Sequence, residues 1–261
     1  AMHLGPTGAA LGTTLSQAVS VTVALVSIRK KHSITLERSD LKPSRAEMSK
    51  LLSIGVPVAM QDGLIQVAFI IITIIANRRG LNDAAAVGIV EKIMSFLFLV
   101  PSSMLSAVSA LGAQNIGANK PERAIRTLRY AIIITVSFGL VVAVSTQFVA
   151  DRIVALFTDD AKAIRLGGQY FRGYIWDCMF AGIHFSFSGY FCAIGKSGIS
   201  FLHNILAVTL VRVPGAYFTS KLFPTTLFPM GLATAGGSLL SVAVCLIAFA
   251  ILKRKSAAAE V

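Results

Sequence analysis

Polar and apolar positions along this chain separate into long blocks instead of alternating within helical turns. Seven stretches are apolar enough and long enough to cross a bilayer: Gly8–Ile28, Leu51–Asn77, Ala84–Gly112, Leu128–Ala150, Gln169–Ile194, Ile199–Leu222 and Leu227–Leu252. A hydrocarbon core of about 30 Å needs roughly 20 helical residues, and each stretch meets that length. Short links rich in Gly, Asn, Lys and Arg separate them. The pattern predicts an all-α polytopic membrane bundle of about seven transmembrane helices.

The third stretch organises the rest. From Ala84 to Arg126 the sequence predicts one spanning helix, with the charged pair Glu91–Lys92 near one end and an interruption midway at Pro101. Its exit, Gly112–Lys120, is built of small and amide residues. Pro121 and Glu122 then start the next helix, as proline does at a first helical position and an acid does in a first turn. The first stretch is the most polar, with Thr13, Thr14, Ser16, Gln17, Ser20 and Thr22, and Gly8-x-x-x-Gly12 allows close approach of another helix. Within the link Arg29–Lys50, the run from Ser44 to Leu52 reads as a separate amphipathic helix on the membrane surface. In the link Asp151–Arg165, Thr158 is the expected helix cap ahead of Asp159 and Asp160.

Composition agrees with the membrane reading: 55% of residues are hydrophobic and 14% charged, where a soluble domain carries roughly a quarter charged. The net charge of +12 raises the question of nucleic acid. The cations, however, sit at the ends of apolar stretches, where lipid headgroups account for them, so membrane lipid is expected as a partner and nucleic acid is not. Their distribution also sets an orientation. Links after stretches one, three, five and seven carry fourteen: Arg29, Lys30, Lys31, Arg38, Lys42, Arg45, Lys50, Lys120, Arg123, Arg126, Lys196, Lys253, Arg254 and Lys255. The other links carry six: Arg78, Arg79, Arg152, Lys162, Arg165 and Lys221. The richer set is expected in the cytoplasm, with the C-terminus. Cys178, Cys192 and Cys245 all fall in apolar stretches, an odd set that argues against a disulfide framework. The chain opens at Ala1 on Gly5-Pro6-Thr7-Gly8, a link between spans, and is expected to be the C-terminal part of a longer protein.

Ionisable and amide residues inside the apolar stretches are candidates for function, since each is costly there. The second stretch has Gln61, Asp62 and Gln66, the last two sharing a helix face. The third has Glu91 and Lys92. The fifth has Arg172, Tyr174, Asp177 and His184, and the sixth His203, Asn204 and Arg212. Tyr174 and Asp177 are spaced i,i+3, which puts a phenol and a carboxylate on one face. That combination suits a hard cation or a proton. The alternative is a structural role, with Asp177 neutralised by Lys92 or Arg212. No catalytic constellation is visible. Gly195-Lys196-Ser197-Gly198 matches a GxSG pattern but reads as turn chemistry, and His184 and His203 lack metal-ligand spacing. No enzyme and no cofactor are expected.

Several stretches resemble the multidrug and toxic compound extrusion (MATE) transporters. They are PSSMLSAVSALGAQNIGANKPERA (Pro101–Ala124), IGVPVAMQ (Ile54–Gln61), VRVPGAY (Val211–Tyr217) and, like the start of the family's sixth helix, GPTGAALGTTLSQ (Gly5–Gln17). The resemblance implies twelve helices in two lobes around a central cavity, and exchange of Na⁺ or H⁺ for small organic cations across the bacterial plasma membrane. It divides the chain into the last helix of a missing N-terminal lobe (1–28), a cytoplasmic basic linker (29–50), a six-helix C-terminal lobe (51–252) and a cytoplasmic tail (253–261). It further implies a cation-coupling site at Asp177 with Tyr174, and with Asp62 and Gln66 on the second stretch, where Ile65 is an alternative for the family acid's place. Glu91, Lys92, Gln61, Arg212 and Asn204 then form a substrate or charge network. A lipid-linked oligosaccharide flippase of the same superfamily is the alternative. It would want several unpartnered cations within its spans, and only Lys92, Arg172 and Arg212 lie there.

Overall fold

The structure is a computed structural model and describes residues 5–31 and 44–259. The central part of the expected basic linker, 32–43, lies outside the described residues. The chain divides into two compact units, 1–49 and 50–261.

In the first unit, α1 (Gly5–Lys31) is a helix of 27 residues. Its hydroxyls fold back on their own helix: Thr14 donates to the Ala10 carbonyl at 3.0 Å, Ser20 to Ser16 at 3.0 Å and Thr22 to Ala18 at 2.8 Å. This polarity is therefore satisfied within the helix itself.

The second unit contains nearly all of α2 (Arg45–Asn77), then α3 (Leu81–Leu97), α4 (Leu99–Gly117), α5 (Pro121–Val154), α6 (Ala161–Tyr174), α7 (Trp176–Ala193), α8 (Ser197–Ala207), a π-helical turn (Val208–Arg212), α9 (Val213–Leu222) and α10 (Phe228–Ala259). Among the described residues there is no strand, as the sequence predicts. Six helical stretches among the described residues are long and apolar enough to cross a membrane. The fifth expected span is not among them. It breaks at Ile175 between α6 and α7, carries the ionisable residues Arg172, Asp177 and His184, and is buried almost all round. A helix that touches protein on every side has no lipid to face and needs no apolar surface for it.

Two local expectations are corrected, at the start of α2 and at the cap of α6. The run from Ser44 is no separate surface helix but the first turns of α2, entered from Ser44, whose Oγ accepts from the Glu47 amide at 3.5 Å. The third span is interrupted as expected, the break falling at Phe98, ahead of Pro101, which supplies no amide to the preceding turn. At α6 the cap is Asp160, accepting from Lys162 and Ala163 at 2.8 and 3.0 Å, while Thr158 accepts from the Asp160 amide.

The exits follow turn chemistry. At the end of α4 the Lys120 amide reaches the Asn115 carbonyl at 2.8 Å and the Asn119 amide reaches Ile116 at 3.0 Å, with Asn119 left-handed at φ 58°. The same paired bonds close α7 around Gly195 at φ 70°. The GxSG stretch is thus a helix C-cap followed by a helix start.

The α6–α7 pair forms the centre of the unit. α7 lies against α4, α5 and α10, and α6 against α3, α5 and α10. The α6–α10 crossing is set by two glycines: a Cβ on Gly173 would stand 2.5 Å from the Phe228 carbonyl oxygen, and one on Gly231 would stand 2.4 Å from that of Tyr170. Backbone meets backbone there, which fixes Tyr170, Tyr174 and Asp177 against Thr234 and Ser238 of α10. All three cysteines are buried free thiols.

Candidate functional site

A cluster of buried polar residues, among them Asp177, Arg212, Thr234 and Ser238, lies at this crossing. Asp177 opens α7 and is wholly buried. Its partner is Arg212, the last residue of the π-helical turn. Pro214 has no amide to donate back to Leu210, and the backbone ahead of it takes the wider register, in which the Val213 amide bonds Val208. This turn presents Arg212 inward, 7% exposed, with Nη2 2.5 Å from Asp177 Oδ2 and 3.1 Å from Ser238 Oγ, while Nε donates to the Thr234 carbonyl at 3.4 Å.

The pair is held from one side only. Asp177 Oδ1 has no partner in hydrogen-bond geometry, although the Ser238 hydroxyl stands beside the carboxyl group. The Tyr174 and Tyr170 hydroxyls are likewise buried without one, though Thr234 stands beside Tyr170. Glu91 enters the same cluster from α3. Its Oε2 accepts from Thr73 of α2 at 3.2 Å, its Oε1 is unpartnered, and it lies within electrostatic reach of Arg212 and both tyrosines. Unmet acceptors around one buried guanidinium are a costly arrangement for a purely structural core.

A cavity of about 40 Å³ adjoins the pair, lined among others by Asp177, Arg212, His184, Asn204, Ser238 and Ser241. It has room for a water or a bare monovalent ion. A drug-sized molecule needs roughly 300 Å³ or more. On its far side His203 bridges Ser188 (Nε2 to Oγ, 2.9 Å) and Ser241 (Nδ1 to Oγ, 3.2 Å), and its ring is 5.4 Å from that of His184. Asn204 donates to the Ser200 carbonyl at 3.0 Å.

The structure brings together Asp177, Tyr174, Glu91, Arg212 and Asn204 of the residues singled out in the sequence. It does not bring in Asp62 and Gln66, which are exposed on α2, nor Lys92, which is exposed on α3. Among the described residues Arg212 alone pairs with Asp177; the alternative cation, Lys92, does not reach it. Gln61 faces inward, buried, with both amide atoms unpartnered. Arg172 pairs with Asp151 through both guanidinium ends, at 3.1 and 2.7 Å, away from the cluster.

Sequence reasoning missed Thr73, Tyr170, Thr234 and Ser238. Thr234 and Ser238 share a face at i,i+4 on an otherwise apolar helix, and that spacing was the available signal. It also missed Arg79, which pairs with Asp83 at 2.7 Å and donates to four carbonyls, Ser220, Phe223, Pro224 and Thr226, across the start of α10.

Known proteins share this architecture. A crystal structure of a point mutant of the Vibrio cholerae MATE transporter VcmN superposes with a TM-score of 0.86 at 17% identity, over 97% of this chain and 57% of that one. Among curated proteins, the probable multidrug resistance protein YoeA of Bacillus subtilis is 27% identical over 221 residues, 83% of this chain and 48% of YoeA. The multidrug export protein MepA of Staphylococcus haemolyticus is 26% identical over 227 residues, 86% of this chain and 50% of MepA. The chain thus spans about half the length of the curated relatives it matches. These findings point to a multi-pass membrane protein of a transporter family and do not favour the flippase alternative. The MatE family model matches residues 57–218, from α2 through the Asp177–Arg212 pair into α9, and the chain belongs to that family.

Proposed function

We propose that this chain supplies the C-terminal lobe, preceded by the last helix of the N-terminal lobe, of a secondary multidrug efflux antiporter that exchanges Na⁺ or H⁺ for cationic organic compounds. The observation that carries the reading is Asp177: a carboxylate with no solvent exposure, paired through one oxygen to Arg212 and free at the other beside an ion-sized cavity.

Asp177 is the coupling carboxylate in this reading, with Tyr174 as a neighbouring ligand and Glu91 as a second acid within reach of the same guanidinium. Arriving Na⁺ or a proton competes with Arg212 for Asp177 and frees the guanidinium, still held by Ser238, to repack against Glu91. One set of partners then belongs to each of two conformations, and the ion shifts them through its differential affinity. Because the cavity has room for an ion and not for a drug, the substrate binds elsewhere, in a central cavity shared with the N-terminal lobe. Asp62 and Gln66, on the exposed face of α2, are the residues offered to it. The cation count supports a cytoplasmic C-terminus in a bacterial plasma membrane.

The test is ethidium efflux from vesicles carrying the full-length transporter, under a Na⁺ or an H⁺ gradient imposed separately. Asp177→Asn keeps the size and removes the charge, and is expected to abolish ion-driven efflux. Efflux at the parent's rate, with loss instead in Glu91→Gln or Asp62→Asn, would move the coupling site to another helix. Orientation is checked with a cysteine at Ser39, expected to resist an impermeant thiol reagent in intact cells.

A further inference from the structure

A groove of about 620 Å³ opens between the ends of α2 and α9, many times larger than the ion-sized cavity. Its lower walls are apolar: Ile71 and Ile74 on α2 face Val213, Pro214 and Phe218 on α9. Its mouth is cationic. Arg78 follows Ile71 and Ile74 on the same face, and Lys221 follows Val213, Pro214 and Phe218, so both helices run from apolar to basic in the same direction. From Ile71 to Arg78 is about 10 Å along a helix, the depth of apolar wall beneath the charges. Neither cation has an acidic partner among the described residues. Lys221 Nζ sits 4.7 Å from the centre of the Tyr217 ring, and the Tyr217 hydroxyl is within electrostatic reach of both Lys221 and Arg78. The third cation, Arg79, is spent on Asp83 and on the carbonyls of the α9–α10 connection.

We propose that this groove binds one anionic glycerophospholipid, with its phosphate between Arg78 and Lys221 and an acyl chain lying along Ile71, Ile74, Val213 and Phe218. The charge ordering carries it. A lone basic residue at a helix end is ordinary membrane-surface chemistry, but here two cations without acidic partners converge from two helices over an apolar trough of ligand size. An anionic headgroup gains about 5-fold in affinity from each such cation, and the trough supplies chain burial that a zwitterionic or headgroup-only ligand does not combine with charge. The links after α2 and α9 belong to the cation-poor side, so the lipid comes from the outer leaflet. Lipid bound there bridges α2, which carries Thr73 beside Glu91, and α9, which continues the turn that presents Arg212. The proposal rests on the membrane-spanning reading and not on ion coupling.

The experiment uses the purified, delipidated full-length protein, with phosphatidylglycerol and phosphatidylcholine added separately and retained lipid counted by native mass spectrometry. The parent is expected to retain one phosphatidylglycerol in preference to phosphatidylcholine. Arg78→Gln should weaken retention about 5-fold, and Arg78→Gln with Lys221→Gln about 30-fold. Ile74→Gln with Phe218→Gln, which leaves both cations, should also lose the bound lipid. Excess glycerol 3-phosphate should leave retention unchanged, which separates a lipid from a free phosphate. Equal retention of both lipids, parent-like retention in the double cation variant, or displacement by glycerol 3-phosphate would overturn the proposal. So would a photo-reactive group at Phe218 that cross-links to another segment of the polypeptide and not to lipid, because a helix would then occupy the groove.

Discussion

Replacing Arg212 with methionine keeps an unbranched side chain and removes the one cation paired with Asp177 among the described residues. The two side chains are 9% and 0% exposed and their atoms approach to 2.5 Å. Charge centres about 4 Å apart attract by about 4 kcal/mol at an effective dielectric of about 20. The same change strands a fully buried carboxylate and removes the donors to Ser238 and Thr234. Breaking a buried pair from one side typically costs about 3–5 kcal/mol. Asp177→Leu alone strands the guanidinium instead, but that guanidinium keeps Ser238 and the Thr234 carbonyl, so its cost lies at the lower end of that range. Replacing both residues leaves no stranded charge, and apolar substitutes of similar volume come out near neutral, within about 1–2 kcal/mol. The cycle should therefore show a coupling of at least about 2 kcal/mol, with the double variant more stable than either single one. The chain has one tryptophan, Trp176, adjacent to Asp177 in sequence, and its fluorescence can follow denaturant unfolding in detergent micelles. Additive single costs, with a coupling below about 0.5 kcal/mol, would refute the claim that the pair acts as one energetic unit.

Two further outcomes follow from the packing. Gly231→Ala places a methyl 2.4 Å from the Tyr170 carbonyl oxygen, so the α6–α10 crossing must widen. About 1–3 kcal/mol of stability should be lost in the same unfolding assay, as for other over-packed cores. Arg79→Ala removes the donor to four carbonyls and the Asp83 partner, and should cost about 2–4 kcal/mol locally. Hydrogen exchange should then quicken across Phe223–Leu227 while the Phe187–Phe191 end of the bundle stays protected. Unchanged exchange in that connection would show that Arg79 is not what holds it.

The sequence determined the membrane-spanning helical architecture, because hydrocarbon thickness demands long apolar runs whatever packs beside them. It also located the buried residues of consequence, since an acid such as Asp177 in an apolar run is costly enough to signal itself. Turn chemistry was legible for the same local reason: Asn119 and Gly195 sit where a helix must close through a left-handed residue. Tertiary structure alone decided which charge meets which. Lys92 and Arg212 are equivalent partners for Asp177 on paper, yet Lys92 lies on the exposed face of α3, while the π-helical turn ahead of Pro214 presents Arg212 inward. Nor does adjacency along the chain choose between Gln61 and Asp62, since neighbours on a helix point about 100° apart and only packing shows which one faces the bundle. The α6–α7 segment is the clearest case. Its polarity makes it a poor membrane span by composition, and only its burial on all sides explains how the polarity is tolerated.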